Sequence, residues 1–215
     1  MIESGDTRIV IDCGPDFRAQ MLGLEFRKID AVLLTHIHYD HVGGLDDLRP
    51  FCLFGEINIY ANKITAEGLK HTMPYCFDEN KYPGVPKINI NVIRPHKSLH
   101  VGGLEIIPVE VMHDKMPILG YRIGDLLYIT DMKAIDEGEF EYFHGVKTLV
   151  VNALRFAPEH HSHQTVADAI AFARKVGAER TFFTHMGHDI GLHKETNKIL
   201  PDDIKLAFDG QNLEI

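Results

Sequence analysis

The sequence has few cysteines, no long apolar segment and no excess of positive charge. Its three cysteines, Cys13, Cys52 and Cys76, are odd in number and widely spaced, which is typical of reduced thiols and not of a disulfide framework. The formal net charge of -9 gives no overall positive field, so tight non-specific binding to a nucleic-acid backbone is not expected. We therefore expect a cytoplasmic protein. Nucleic acid is an unfavoured partner, although a local basic patch would still permit it.

Membrane anchors and secretory leaders also have no counterpart in the sequence. The N-terminal stretch has no apolar core behind a basic start, and no later segment approaches about 18 uninterrupted apolar residues. The hydrophobic fraction of 45% and the charged fraction of 25% are average for globular proteins. Because 215 residues are enough for one domain of ordinary to large size, we expect a single soluble domain over residues 1–215.

Strand-like and helix-like patterns follow one another along the chain. Strands are predicted at residues 8–12, 29–36, 57–62, 90–94, 104–113, 119–124, 126–131, 148–152, 181–185 and 205–208. Helices are predicted at 14–24, at 45–51 with an end at Pro50, and at 64–73, 137–144, 166–176 and 192–200. Residues 71–87 have no clear period beyond the helix end and predict a long functional loop or lid. This order predicts an α/β fold with two mixed sheets face to face and helices outside, a four-layer αββα sandwich.

Histidines are concentrated where a predicted strand ends. The segment THIHYDHVGG, residues 35–44, places His36, His38, Asp40 and His41 directly after an apolar run. Three imidazoles within six residues have little structural use at the end of a buried strand. We therefore interpret this segment as part of a metal site and not as a polar turn.

Three further predicted strands also end on a histidine or an aspartate. Taken singly, His113 and His185 are more typical of hydrogen-bonded histidines, and Asp131 of a turn or a helix cap. If one sheet holds these strands in suitable directions, their ends meet at one edge. Imidazole and carboxylate ligands suit zinc, manganese or iron, and two ions would use all seven residues. The candidate ligands are His36, His38, Asp40, His41, His113, Asp131 and His185.

The motif THIHYDHVGG resembles the signature of the metallo-β-lactamase superfamily, and the later candidate ligands follow in that superfamily's order. The resemblance covers nearly the whole chain. It implies two divalent ions bridged by Asp131. One ion would be held by His36, His38 and His113, and the other by Asp40, His41 and His185. In the β-lactamases themselves the bridging position is typically a cysteine, so Asp131 disfavours antibiotic hydrolysis.

His163 points to one branch of that superfamily. His163 lies just before Thr165, the expected N-cap of helix 166–176. By itself, a histidine at this position is explained equally well as an ordinary polar residue or as a functional one. Phosphodiesterase branches, including tRNase Z and the phosphoribosyl cyclic phosphate phosphodiesterases, have a histidine here that serves the leaving group. Residues 113–115, 152–155, 184–188 and 208–210 resemble the cyclic phosphodiesterases more closely, and no tRNase Z arm is recognisable. His160, His161 and His193 match no such role and are expected to be solvated.

The resemblance implies hydrolysis of a small phosphodiester, either open-chain or cyclic, by a hydroxide that bridges two ions of zinc, manganese or iron. Catalytic roles are implied for His163, which would assist the departing oxygen, and for Asp40, which would orient the nucleophile. A tRNase Z-like ribonuclease and a glyoxalase II-like thioesterase are alternatives. A metal-binding module that is inactive through loss of its N-terminus is a non-enzymatic one.

The chain departs from the family pattern at its beginning. Members usually start with another strand and a glycine-rich turn, and the cyclic phosphodiesterases add a cysteine trio that binds a structural zinc. Nothing of this kind precedes Ile2. We therefore expect the usual N-terminal strand to be missing and His188 to lack its zinc. An exposed sheet edge would then need cover, for which a homodimer is one solution.

Overall fold

The computed structural model describes residues 1–214, which form two compact units, one ending at Glu105 and the next beginning at Ile106. Two mixed sheets with helices confirm the α/β class that the sequence predicts. Over the described residues, no helix combines the length and the apolar composition that a bilayer crossing requires.

The first unit contains a five-stranded sheet. Its strands lie in chain order: β1 (Ile2–Ser4), β2 (Thr7–Ile11), β3 (Ala31–Leu33), β4 (Ile57–Ala61) and β5 (Ile88–Val92). Strands β1 and β2 are antiparallel, and the pairs from β2 to β5 are parallel. The helices are α1 (Phe17–Met21), α2 (Tyr39–Val42) and α3 (Lys63–Thr72), with 3-10 helices at Leu45–Phe54 and Pro74–Cys76.

The second sheet has seven strands. Along the chain these are β6 (Leu99–Val101), β7 (Leu104–His113), β8 (Met116–Ile123), β9 (Leu126–Ile129), β10 (Thr148–Asn152), β11 (Arg180–Thr184) and β12 (Ile204–Leu206), and their order in the sheet is the reverse. Strands β7 to β9 form an antiparallel meander, and β9 to β12 are parallel. A 3-10 helix at Glu137–Phe143 and the helices α4 (Val166–Val176) and α5 (His193–Ile199) lie between the later strands.

Each unit has a hydrophobic core of its own. In the first, apolar residues of the parallel strands pack with Leu45, Leu48 and Leu69 from the helical segments. In the second, Ala169, Phe172 and other apolar residues of α4 pack against strand residues. Helix α4 begins with a capping box between Thr165 and Asp168 and ends at Gly177, whose φ of 73° is the left-handed conformation that suits glycine. Local sequence and burial therefore agree on the position of this helix.

Strand direction in the second unit puts several strand ends at one edge of the sheet. Strands β9, β10 and β11 are parallel, and β7 runs the same way because two antiparallel steps separate it from β9. Their carboxyl ends therefore lie at the same edge, as the sequence predicts for the strand ends that carry His113, Asp131 and His185.

Several predicted elements have different bounds or a different type. The helix predicted at 14–24 is only Phe17–Met21, with glycines on both sides, and the strand predicted at 29–36 pairs only over Ala31–Leu33. The helix predicted to end at Pro50 is a 3-10 helix that continues through Pro50 to Phe54, which shows that one missing N–H donor is tolerated there. The helix predicted at 137–144 is also 3-10.

Strands β1 and β6 were not predicted because each has only three residues, too few to show a period. Residues 77–87 contain no helix or strand, and the role of residues 71–87 as a lid stays a prediction.

Candidate metal centre

Two glycines let the loops that follow β2 and β3 approach each other. A Cβ atom on Gly44 would lie 2.1 Å from the carbonyl oxygen of Gly14, and one on Gly14 would lie 2.3 Å from the carbonyl oxygen of Asp40. Backbone hydrogen bonds join the same segments, from Cys13 N to His41 O at 2.7 Å and from Gly44 N to Cys13 O at 2.8 Å. The histidine segment is therefore held against the end of β2 by backbone contacts that exclude a side chain.

Asp12 is the centre of a hydrogen-bond network in the first unit. Its carboxylate accepts the Thr35 N–H at 2.8 Å and the Thr35 hydroxyl at 2.9 Å, and it lies 2.7 Å from His41 Nδ1. Because a carboxylate only accepts, His41 Nδ1 carries the ring proton and Nε2 has the lone pair. Asp12 has a φ of 58°, in the left-handed region that Asp tolerates better than most residues.

The same reasoning fixes the tautomer of His36, which is buried. The Thr35 hydroxyl gives its only proton to Asp12, so at 3.0 Å from His36 Nδ1 it accepts the proton of that ring nitrogen. The lone pair of His36 is therefore on Nε2, which lies 3.0 Å from Nδ1 of His38. Two ligand atoms on a tetrahedral ion with bonds of about 2.0 Å would be about 3.3 Å apart, so this spacing suits a shared ion.

Asp40 and His41 form the remaining part of the first cluster. Asp40 Oδ2 lies 3.3 Å from His41 Nε2, and the Asp40 side chain is exposed while His41 is buried. The first unit thus brings together all four candidate ligands of the THIHYDHVGG segment.

His113 is oriented by two carbonyl groups of the second unit. Its Nδ1 lies 2.8 Å from the carbonyl oxygen of Asp131 and 3.0 Å from that of Ser162. Both groups only accept, so Nδ1 carries the proton and Nε2 has the lone pair. Burial lowers the pKa of His113, which favours the neutral imidazole that a metal requires.

Asp131 lies between two imidazoles. Its Oδ1 is 3.0 Å from Nε2 of His163 and 3.0 Å from Nε2 of His185, while Oδ2 accepts the Thr130 hydroxyl at 2.7 Å. The rings of His163 and His185 are stacked, with centroids 4.9 Å apart. Asp131, after β9, and His185, after β11, have φ values of 55° and 52°, so both follow their strands in a sparsely populated backbone conformation.

A buried asparagine holds the backbone beside Asp131. The amide of Asn152 accepts the Met132 N–H at 2.8 Å and donates to the Met132 carbonyl at 3.0 Å. Asn152 is 0% exposed. It therefore fixes the residue after Asp131 with both ends of one side chain.

His163 is supported on its other nitrogen by its own loop. Its Nδ1 lies 3.0 Å from the Ser162 hydroxyl and 3.0 Å from Nδ1 of His160. The expectation that His160 is solvated is wrong, because His160 is half-buried and its ring contacts that of His163. His161 and His193 are exposed, as expected.

Ligand atoms of His113, Asp131 and His163 all lie within 4.8 Å of one another, so His163 is also within reach of a metal position in the second unit.

The residues present fit divalent metal ions. In three of the imidazoles, His36, His41 and His113, protein acceptors take the Nδ1 proton and leave the Nε2 lone pair for a metal, the arrangement that metal-binding histidines usually show. Sequence reasoning missed the residues that impose it, namely Asp12, Thr35 and Ser162. Asp12 alone had a detectable signal, since it too ends an apolar strand.

Comparisons with known proteins agree with this chemistry. A family model described as a beta-lactamase superfamily domain matches residues 7–186. The crystal structure of a diphosphatase from the PhnP family is 36% identical with a TM-score of 0.89, over 99% of this chain and 82% of that one. The probable metallo-hydrolase YhfI of Bacillus subtilis is 24% identical over 98% of this chain and 86% of its own length.

A protein of Porphyromonas gingivalis named octanoyltransferase is 40% identical over 210 residues, which are 98% of this chain. The chain spans only 43% of that protein's length.

Proposed function

The chain belongs to the metallo-β-lactamase superfamily, whose members are generally hydrolases, and from this membership we propose a two-metal phosphodiesterase that acts on a small phosphodiester. The observation that carries the proposal is that protein acceptors lie within hydrogen-bond distance of Nδ1 of His36, His41 and His113, which leaves Nε2 of each available to a metal. The 36% identity to a diphosphatase supports a phosphate-containing substrate class.

The proposed ligands of the first ion are His36, His38 and His113, and those of the second are Asp40, His41 and His185, with Asp131 shared. When bound, two divalent ions neutralise phosphate charge and make water nucleophilic near neutral pH. Zinc, manganese and iron all suit these nitrogen and oxygen donors.

A cytoplasmic location is proposed as well, since all three cysteines are free thiols.

His163 is proposed to protonate the departing oxygen. The contact of its Nε2 with Asp131 and the contacts of its Nδ1 with Ser162 and His160 hold the ring in one orientation. Asp40 is proposed to orient the nucleophile, since its carboxylate is exposed beside His41.

A thioesterase is the second candidate, and one observation favours it. The Porphyromonas gingivalis relative is named octanoyltransferase, a name that implies acyl substrates. Because the chain corresponds to less than half of that protein, this name supports a candidate and not an assignment.

An assay panel on protein of measured metal content tests the proposal. The substrates are bis(p-nitrophenyl) phosphate, a cyclic phosphate sugar, a diphosphate ester, an octanoyl thioester and a precursor tRNA. We expect hydrolysis of a phosphodiester or diphosphate ester. Cleavage of the thioester alone would replace the proposal with the second candidate.

His163→Ala, measured in the same panel, should keep both ions and lose about 10²-fold or more in turnover, the usual scale for a general acid. Loss of one ion would instead make His163 a ligand.

A further inference from the structure

The loop between β10 and α4, which carries His163, is closed at its base. Two backbone hydrogen bonds of 2.9 and 3.0 Å join residues 154–155 to residues 164–166. Inside the loop, Nε of the Arg155 guanidinium donates to the carbonyl oxygen of Pro158 at 2.9 Å. These three ties hold the loop in one shape, so the contacts among its histidines are part of the fold.

Within this loop, His160 offers His163 a hydrogen-bond acceptor. Nδ1 of His160 accepts the backbone N–H of Ser162 at 3.3 Å, so this nitrogen has the lone pair. It lies 3.0 Å from Nδ1 of His163. Because two nitrogen lone pairs at this distance would repel each other, Nδ1 of His163 carries a proton and donates it toward His160.

The Ser162 hydroxyl lies between the same two nitrogens. Its oxygen is 3.0 Å from Nδ1 of His163 and 3.2 Å from Nδ1 of His160. Since the first nitrogen is a donor and the second an acceptor, the hydroxyl accepts from His163 and donates to His160. Ser162 is 6% exposed, so water has little access to replace these hydrogen bonds.

The other ring nitrogen of His163 faces the proposed chemistry. Nε2 lies 3.0 Å from Oδ1 of Asp131, the proposed shared ligand. A general acid must stay within hydrogen-bond reach of the oxygen that it protonates, and catalytic side chains are commonly oriented by a third group. A histidine ring needs such a partner, because its χ2 torsion has only a broad preference. The acceptor on Nδ1 is therefore placed to direct Nε2.

We propose that His160 is a positioning residue for His163, an inference that rests on the proposed function. By accepting from Nδ1, directly and through the Ser162 hydroxyl, His160 fixes the plane of the ring and the direction of Nε2. In the proposed reaction, a hydroxide formed from water, whose proton leaves to the solvent, makes the new bond to phosphorus. The bond to the leaving oxygen breaks, and Nε2 of His163 gives its proton to that oxygen. His160 takes no part in these bond changes, but the proton transfer depends on the orientation that it sets.

Nitrogen-15 NMR of the histidine side chains in the zinc-loaded full chain tests the positioning without turnover. The proton on Nδ1 of His163 should exchange slowly and give a resonance that His163→Ala removes. His160→Ala should lose this resonance to exchange with solvent. His160→Asn should keep it, because the amide oxygen reaches the place of Nδ1. Absence of the resonance from the unchanged chain, or its persistence in His160→Ala, would overturn the proposal.

Leaving groups of different basicity test the consequence for catalysis. Bis(p-nitrophenyl) phosphate releases a stable anion that needs little protonation, whereas diphenyl phosphate releases a more basic one. We expect His160→Ala to lower kcat about tenfold for diphenyl phosphate, the scale of one hydrogen bond, and less than about twofold for bis(p-nitrophenyl) phosphate, with KM unchanged. His160→Asn should recover most of the lost rate. His160→Phe, which keeps a ring without an acceptor, should not.

His161→Ala is the matched control, since it removes a ring that packs on His160, with centroids 4.4 Å apart, and leaves the hydrogen bond intact. Its rates and its metal content should equal those of the unchanged chain, and metal content should also be unchanged in the His160 variants. Equal losses on both diesters, or recovery by His160→Phe, would overturn the proposal, because either result would assign the effect to packing. The proposed function would fail in a different way, by an absence of phosphodiester hydrolysis while the Nδ1 resonance still depended on His160.

Discussion

At the scale of single residues, the proposed ligand histidines are oriented by neighbours that have no proposed ligand role. Asp12 fixes the tautomer of His41 directly and that of His36 through Thr35. The sequence predicts the imidazoles because they are crowded into one motif. It does not predict Asp12, which is 23 residues away from Thr35 and becomes its partner only through the parallel pairing of β2 with β3.

Asp12→Asn should weaken divalent metal binding about 10- to 100-fold, the usual cost of losing a residue that orients a ligand. Asparagine has the same shape and also tolerates a positive φ, so the backbone should be preserved and the loss should report on the charge. The measurement is zinc affinity by competition with a chelating dye. Asp209→Asn, at an exposed position, is the control, and equal affinities for the two variants would contradict this role for Asp12.

At the scale of elements, Gly14 and Gly44 set the distance between the loops after β2 and β3. The motif in the sequence shows that Gly43 and Gly44 follow the histidines, but only the structure shows what they contact. Gly44 contacts the backbone of Gly14, and Gly43 contacts the ring of Tyr39.

Long or strongly patterned elements such as β7 and α4 were predicted to the residue. Short elements were missed or misjudged because their bounds depend on tertiary pairing.

Gly44→Ala should destabilise the fold by more than about 2 kcal/mol, because the new methyl group would meet a backbone oxygen that has no side-chain freedom to move away. Gly23→Ala is the matched control, since nothing lies within 4 Å of a Cβ atom there. That change should be neutral or slightly stabilising, because alanine lowers the entropy of the unfolded chain. Urea unfolding measures both, and similar midpoints for the two variants would refute the close-approach argument.

At the scale of the whole molecule, folding and metal binding should be linked. Ions that bind only the folded chain stabilise it by mass action, by about 2.7 kcal/mol when the free ion is at 100 times its Kd. The sequence predicts the superfamily and the ligand set because the motifs and their order along the chain can be read directly from the sequence. It does not predict the substrate, because substrate recognition depends on side chains that only the tertiary structure brings together.

Removal of metal with a chelator should lower the Tm by roughly 5 to 10 °C, which is the mass-action stabilisation expressed for a chain of this length. The same treatment should hardly change the Tm of Asp131→Asn, in which the proposed shared ligand is weakened. Scanning calorimetry with and without chelator measures both. A chelator effect of equal size in the variant would argue against Asp131 as that ligand.

The homodimer suggested by the sequence stays a proposal. Strand β2 is paired with β1 on its outer side, so only a three-residue strand forms that edge of the sheet. Such a short edge gives little reason for a second copy to pair there. Light scattering would measure the mass in solution, and a strict monomer would remove the dimer.

The positive φ values of Asp12, Asp131 and His185 have a consequence for mutational scanning. At such positions valine, isoleucine and threonine are selected against by the backbone alone, whatever the side chain does. Their depletion in a library would therefore carry no information on metal binding. The informative comparison is among asparagine, glycine and histidine, which the backbone accepts and a metal site distinguishes.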